Sequence, residues 1–213
     1  MKIGVIGSGI VGQTLSDGFL GRGDEVMRGS REPAKLAAWR AGAGAKARTG
    51  TFAEAAAFGE VVVLAVKGTA AAETVRALAP ALAGKPLVDT TNPIADAPPV
   101  NGVLRFFTGP NESLMETLQA AAPAARLVKA FSCVGSALMV NPSLPGGRPT
   151  MFVCGNDEGA KRQVTTVLDQ FGWETEDMGA AEAARAIEPL CMLWCIPGFR
   201  KNDWMHALKV LRK

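Results

Sequence analysis

Gly7, Gly9 and Gly12 stand in the spacing G-x-G-x-x-G, between a short apolar run, Lys2–Ile6, and a segment with helical periodicity, Ile10–Leu20. In that setting the first glycine permits a tight turn and the second lets the backbone approach a pyrophosphate. The third lets the helix pack closely on the strand. The free N–H groups and positive dipole end of the helix attract phosphate as well. The spacing alone is weak in a chain with 24 glycines; its place in a strand–turn–helix unit gives it force. Gly7, Gly9 and Gly12 are thereby assigned to a dinucleotide pyrophosphate.

The end of the next strand separates the two common dinucleotides. An NAD site places Asp or Glu about 20 residues past the fingerprint, to accept the ribose 2′-hydroxyl. Here Gly29-Ser30-Arg31 occupies that place, with Lys35 four residues on and Glu32 one residue beyond the arginine. A hydroxyl, a guanidinium and an ammonium suit a 2′-phosphate, which arginine can grip with two parallel hydrogen bonds. Ser30, Arg31 and Lys35 therefore point to NADP(H).

Ligands of open parallel sheets bind beyond the carboxyl ends of the strands. Two such ends are Val66-Lys67-Gly68-Thr69 and Asp89-Thr90-Thr91-Asn92-Pro93. Val66 and Lys67 are expected at the cofactor, with Asn92 on the nicotinamide ribose or carboxamide and Pro93 fixing its loop. The following strand end, Phe131-Ser132-Cys133-Val134-Gly135, is expected to face the nicotinamide. Ser132 and Cys133 would lie toward the substrate.

Those candidates need a scaffold, and hydrophobic patterning supplies it. Strand-like runs at Lys2–Ile6, Asp24–Arg28, Val61–Val66, Pro86–Asp89 and Leu127–Phe131 alternate with helical segments at Ile10–Leu20, Pro33–Ala41, Thr69–Leu82 and Glu112–Ala122. The uniformly apolar Val61–Val66 suits a strand covered on both faces. Strand–helix alternation implies an α/β doubly wound Rossmann sheet, mostly parallel, with right-handed crossovers. Ile94–Gly102 and Asn141–Pro149 read as loops. Met151–Cys154, Asp157–Phe171 and Trp173–Asp177 form one more strand–helix–strand. Ala180–Lys213 reads as a helical extension broken at Pro197-Gly198. The expected division is 1–178 for NADP(H) binding and 179–213 for a helical dimerisation segment.

Composition removes several chemistries. The 213 residues are 48% hydrophobic and 20% charged, with one histidine, His206, and no tyrosine. A Tyr–Lys acid pair and a multi-histidine metal site are both impossible. The net charge of +3 is scattered, so a nucleic-acid partner is not expected. Cys133, Cys154, Cys191 and Cys195 lack a C-x-x-C pair and read as reduced thiols of a cytoplasmic protein. No apolar run reaches the roughly 18 residues of a membrane span. Two thiols four apart, Cys191 and Cys195, read as packing and not as metal ligands.

Taken with Asp89-Thr90-Thr91-Asn92-Pro93, Lys129-Ala130-Phe131-Ser132-Cys133-Val134, Asn141-Pro142 and Phe152–Asp157, the chain resembles the F420-dependent NADP oxidoreductases. It is similar as well to the related bacterial dinucleotide-binding reductases and to the cytosolic domain of STEAP metalloreductases. The resemblance implies an NADP(H)-binding Rossmann domain whose 2′-phosphate ligands fall on Ser30, Arg31 and Lys35, with a helical tail that helps form a homodimer. It further implies a pyrophosphate loop over Ser8, Gly9, Ile10 and Val11 and a pocket floor near Asn92, Val134 and Gly135. In the deazaflavin branch the loop matching Phe131–Gly135 carries alanine and proline and lacks Ser132-Cys133, which leaves the hydride acceptor open.

Hydride transfer to a carbonyl needs a positioned proton donor, and only Lys67, Ser132 and Cys133 are at hand. A flavin or deazaflavin acceptor such as F420 relaxes that need, because the cofactors carry the electronics and the protein positions them. The expected activity is hydride transfer between NADPH and such a small-molecule co-substrate. A non-catalytic NADP(H)-binding redox sensor and a small imine or carbonyl reductase are the alternatives. The first of these gains if the C-terminal helices fill the space beside the nicotinamide. Arg185 and Glu188, three apart, are expected to pair with each other or to sit at the interface.

Overall fold

The computed structural model describes residues 1–213. Six strands form one wholly parallel sheet: β1 (Lys2–Ile6), β2 (Glu25–Gly29), β3 (Ala47–Gly50), β4 (Val61–Leu64), β5 (Pro86–Asp89) and β6 (Arg126–Lys129). Their spatial order is β3-β2-β1-β4-β5-β6. The order reverses between β1 and β4, so the crevice at that reversal is where such a sheet takes its ligand.

Strand β4 shows why the sheet is covered twice. Val61 and Val63 point into one core with Leu15 and Phe19 of α1 (Ile10–Gly21), and Val62 and Leu64 point into the other. That second core is closed by α3 (Phe52–Phe58), α4 (Gly68–Leu82) and α5 (Leu114–Ala121), through residues such as Ala56, Val75 and Leu118. Alternation of side chains along a strand makes four consecutive apolar residues the natural filling for two cores.

Beyond the short α2 (Ala37–Gly42), β3 holds one apolar residue, Ala47, beside the charged Arg48, and α3 is mostly alanine between Phe52 and Phe58, so hydrophobic patterning there is weak. The local signal was a capping box. Thr51 Oγ1 accepts from Glu54 N at 3.2 Å, and the Glu54 carboxylate accepts from Thr51 N at 2.7 Å, satisfying two orphan amides at the start of α3.

Strands β7 (Thr150–Val153) and β8 (Glu174–Asp177), joined through α6 (Glu158–Gln170), do not extend the main sheet. They form a separate parallel pair, tied to it by an antiparallel bridge between Lys129 and Cys154. The helical break expected at Pro197-Gly198 does not occur. Helix α7 runs unbroken from Ala184 to Lys201 and ends at Asn202, whose φ of 54° is left-handed. Gly198 serves a packing purpose: a Cβ there would stand 2.2 Å from the Trp204 ring. The missing Pro197 amide is tolerated because Cys191, Trp194 and Cys195 of the same helix bury against Leu104.

After Asn202 the chain is not helical. It folds back on β7, where Thr150 N donates to the Leu208 carbonyl at 2.9 Å and Val210 N to Thr150 Oγ1 at 3.0 Å. The tail is thus one helix and an irregular return, in place of a helical pair. No helix is long and apolar enough to cross a membrane.

Candidate dinucleotide site

Two of the three fingerprint glycines, Gly7 and Gly12, sit where a side chain would clash. Gly7 has φ of 152°, and a Cβ would lie 2.2 Å from the Ala65 carbonyl oxygen beyond β4. At Gly12 a Cβ would lie 2.6 Å from the Gly7 carbonyl oxygen, while at Gly9 it would meet nothing within 4 Å. The open side of the loop is therefore at Gly9, ahead of the first turn of α1, whose amides have no intrahelical partner. Ile10 leaves its side chain exposed there, while Val11 packs onto the first core and Gly12 is buried.

Arg28, a residue absent from the sequence-based assignment, holds this loop from behind. Its guanidinium is buried, with Nε 3.3 Å from the Gly7 carbonyl and Nη2 2.9 Å from the carbonyls of both Ser8 and Gly9. The Trp39 ring lies 5.1 Å from its central carbon. Burial pulls the Arg28 pKa below its usual value and Asp17 partly offsets this. An arginine stays charged under such a shift.

A cleft of about 700 Å³ opens in front of the loop. Of the expected residues it is lined by Gly7, Ser8, Gly9, Ser30, Arg31, Lys35, Val66 and Lys67; Thr51, Phe52 and Ala53 join them from the start of α3, Ala70, Glu73, Thr74, Ala77 and Leu78 from α4, and Glu32 and Ala65 from the strand ends. Thr51, Phe52 and Ala53 are not expected from the sequence because β3 and α3 are not; Ala70 and Thr74 lie on the expected helix, but nothing in its pattern marks the face turned to the cleft. Ser30 is buried, and its hydroxyl accepts from Glu32 N at 3.1 Å, which fixes the turn out of β2. Arg31 is exposed and forms no ion pair, whereas Lys35 Nζ lies 2.7 Å from Glu32 Oε1. The Lys35 hydrogen bond holds the Glu32 carboxyl below the usual range. Lys67, exposed at the head of α4, pairs with Asp96 of the loop that follows β5.

Ile10, Val11 and Gly12, in the first turn of α1, do not line this cleft, and the remaining expected residues lie outside it as well, beyond the ends of β5 and β6. Asn92 Nδ2 donates to the Ser132 carbonyl at 2.7 Å, joining the two strand-end loops. Asn92 Oδ1 and Ser132 Oγ are buried without a partner. Pro93 follows in the loop, its carbonyl accepting from Phe107 N. Cys133 and Val134 belong to the first core, and burial pushes the Cys133 thiol up to about 11. Gly135 abuts the Trp194 ring, at 2.5 Å from where its Cβ would be. That indole donates to the His206 carbonyl at 2.7 Å and stacks on the His206 ring at 5.2 Å. Tail residues thus occupy the space beside Gly135.

Arg185 and Glu188 do not pair with each other. The Arg185 guanidinium binds Glu116 on α5, with Nε at 3.0 Å, while Glu188 is buried and reaches Lys129. Three positions on a helix bring two side chains to the same side, and here each finds a stronger partner on another element.

A six-stranded parallel sheet of order 3-2-1-4-5-6 with a G-x-G-x-x-G loop at its first crossover defines a Rossmann-type dinucleotide-binding fold. Residues 2–93 match the family described as NADP oxidoreductase, coenzyme F420-dependent. The F420-dependent NADP reductase of Methanocaldococcus jannaschii is 31% identical over 209 residues, covering 91% of this chain and 90% of that one. A crystal structure from Arthrobacter sp. FB24 superposes with a TM-score of 0.92 at 33% identity, covering 100% of both chains. The chain belongs to the F420-dependent NADP oxidoreductase family. It is also 30% identical over 201 residues to the metalloreductase STEAP3 of Rattus norvegicus, covering 92% of this chain but only 38% of that longer protein.

Proposed function

We propose that this family member binds NADP(H) in the cleft and exchanges hydride with a flavin or deazaflavin co-substrate of the F420 type. The observation that carries the reading is the pair of cationic side chains at the end of β2. Arg31 and Lys35 flank the Ser30 hydroxyl at the cleft mouth, where an NAD site would present a carboxylate. The open face of Gly9 suits a pyrophosphate, and the unpartnered Asn92 Oδ1 and Ser132 Oγ suit a polar ring substituent such as a carboxamide. These atoms fit NADP(H), which supplies hydride at its nicotinamide when bound. The chain's own part is to hold the phosphates on the glycine loop, to orient the ring half from Asn92, and to exclude water with the apolar Ile10 and Val134.

Little acid–base machinery is needed for such an exchange, and little is present. Cys133 is a buried thiol, and the Lys67 ammonium is engaged by Asp96. Oxidation of NADPH should be followed with F420, FMN, FAD and ferric chelates in turn; turnover with none of them would remove the reading. Lys67→Met should retain turnover to within about threefold, and a loss beyond about 100-fold would favour the imine or carbonyl reductase alternative.

One observation favours a redox sensor as the second reading: Trp194 fills the space beside Gly135 that an acceptor ring would use. NADP(H) binding with no turnover on any acceptor selects it. A homodimer is proposed from the apolar Leu193 and Phe199, which α7 leaves exposed. A monomeric mass in sedimentation at micromolar protein would contradict it. The four free cysteines, all buried, support a cytoplasmic setting.

A further inference from the structure

Lys129, the last residue of β6, has no exposed surface. Its ammonium lies 2.7 Å from Asp89 Oδ2, 2.7 Å from Glu188 Oε1, and donates to the Thr91 carbonyl at 2.9 Å. An ammonium carries three N–H groups, and three acceptors surround this one. The carboxylates are themselves held. Asp89 Oδ1 accepts from Thr91 N at 2.9 Å and Thr91 Oγ1 at 2.6 Å, while Glu188 accepts from the amides of Leu114 and Met115 at 2.9 and 3.0 Å. The first turn of α5 thus faces the surplus negative charge of the cluster with its positive end.

Burial alone would lower the Lys129 pKa, but the Asp89 and Glu188 carboxylates outweigh it and leave it raised. The group is therefore a fixed cation and not a proton carrier at neutral pH. Stability is a weak reason for such a cluster, because buried ion triads replaced by apolar side chains of equal volume often fold as well or better.

What the cluster fixes is the path of two loops. Thr91, bound through both its carbonyl and its hydroxyl, is followed by Asn92, whose Nδ2 donates to Ser132, three residues past Lys129. A ring is closed: Lys129, Thr91, Asn92, Ser132 and back along the chain. The Ser132 carbonyl can only accept, so the amide orientation is set and Oδ1 is left without a protein partner. Between Lys129 and Ser132, Phe131 is left-handed, with φ of 60°. An aromatic residue holds that conformation only where its surroundings over-determine it.

We propose that Lys129 is a positioning residue for the nicotinamide half of the cofactor: clamped by Asp89 and Glu188, it sets the Thr91–Asn92 loop so that Asn92 Oδ1 and Ser132 Oγ await a ligand donor. This rests on the dinucleotide reading above. It assigns no contact between Lys129 and the ligand.

The test compares two ligands by calorimetric titration. NADP⁺ has both halves, whereas adenosine 2′,5′-bisphosphate has only the adenine and 2′-phosphate half. Lys129→Met should weaken NADP⁺ by about tenfold or more and leave the bisphosphate within about twofold. Asn92→Ala, which buries no unpaired charge, should give the same split, and so keeps the test available if Lys129→Met does not fold. Glu188→Gln should show a smaller split in the same direction. Equal weakening of both ligands would reduce the cluster to a general structural role and overturn the proposal. Unchanged NADP⁺ affinity in folded variants would overturn it as well. Wild-type protein that binds neither ligand would overturn the dinucleotide reading together with this one, whereas wild type that binds both, with variants that show no split, overturns this one alone.

Discussion

Arg28 Nη2 stands 2.9 Å from the carbonyl oxygen of Gly9, and the same nitrogen is equally close to the carbonyl of Ser8. A buried cation therefore sets the direction in which the glycine loop presents its peptides. With the carbonyls of residues 7 to 9 turned toward Arg28, the amides at the head of α1 are what remain for an anion.

Arg28→Met should keep the apolar stem against Trp39 and lose all three hydrogen bonds. Hydrogen bonds from a charged donor contribute about 1.5–3 kcal/mol each before non-additivity, so a loss near 2–4 kcal/mol is expected. Affinity for NADP⁺ should fall by about tenfold or more, since the loop amides lose their aim. Thermal unfolding and a binding titration on one preparation check both; normal affinity would show that the glycines hold the loop unaided.

Glu32 competes for Lys35. Because the Lys35 hydrogen bond holds the Glu32 carboxyl below its usual range, the pair is intact at neutral pH and weakens only as the pH falls through that lowered pKa. Glu32→Gln should free Lys35 for a 2′-phosphate and tighten NADP⁺ by about two- to fivefold, with NAD⁺ unchanged. Equal gains for both dinucleotides would mean that the carboxylate acts on the pyrophosphate and not on the 2′-phosphate.

Two buried thiols predict how the fold behaves in alkali. Burial raises Cys133 to about 11 and Cys154 to about 12, from an ordinary 9.0. Groups raised in the folded state contribute stability that is complete below pH 9.0 and is lost as pH climbs toward those higher values, where the unfolded chain already carries thiolates. The deficit in melting temperature of the double variant Cys133→Ala, Cys154→Ala should therefore shrink between about pH 8 and 10.5. A deficit constant across that range would contradict the assignment.

The parts of the site that a sequence displays are those whose reason is local. Gly7, Gly9 and Gly12 are adjacent to the strand and helix they join, and Ser30-Arg31 follows β2 directly, so spacing alone locates them. Arg28 is different: a charged residue in a strand reads as solvent-facing, and the carbonyls that bury it lie about 20 positions earlier in the chain. Glu188 and Lys129 meet across 59 residues, a pairing that no periodicity announces. The edge strand β3 carries too few apolar residues to stand out, although Thr51-x-x-Glu54 marked the helix behind it. At the tail, proline and glycine argued for a break, but tertiary packing of Trp204 on Gly198 outweighed that local preference.

The return of the chain from Asn202 to β7 has a consequence for handling the protein. A two-stranded sheet has an edge on each side, and unpaired edges invite strands of other molecules. Leu208 and Val210 occupy the polar groups of Thr150, and Arg212 reaches over to Glu176 on β8. Trimming the last dozen residues, or fusing a bulky tag that pulls them away, would strip that cover. The damage would then surface as self-association on concentration while the distant cleft still bound its ligand.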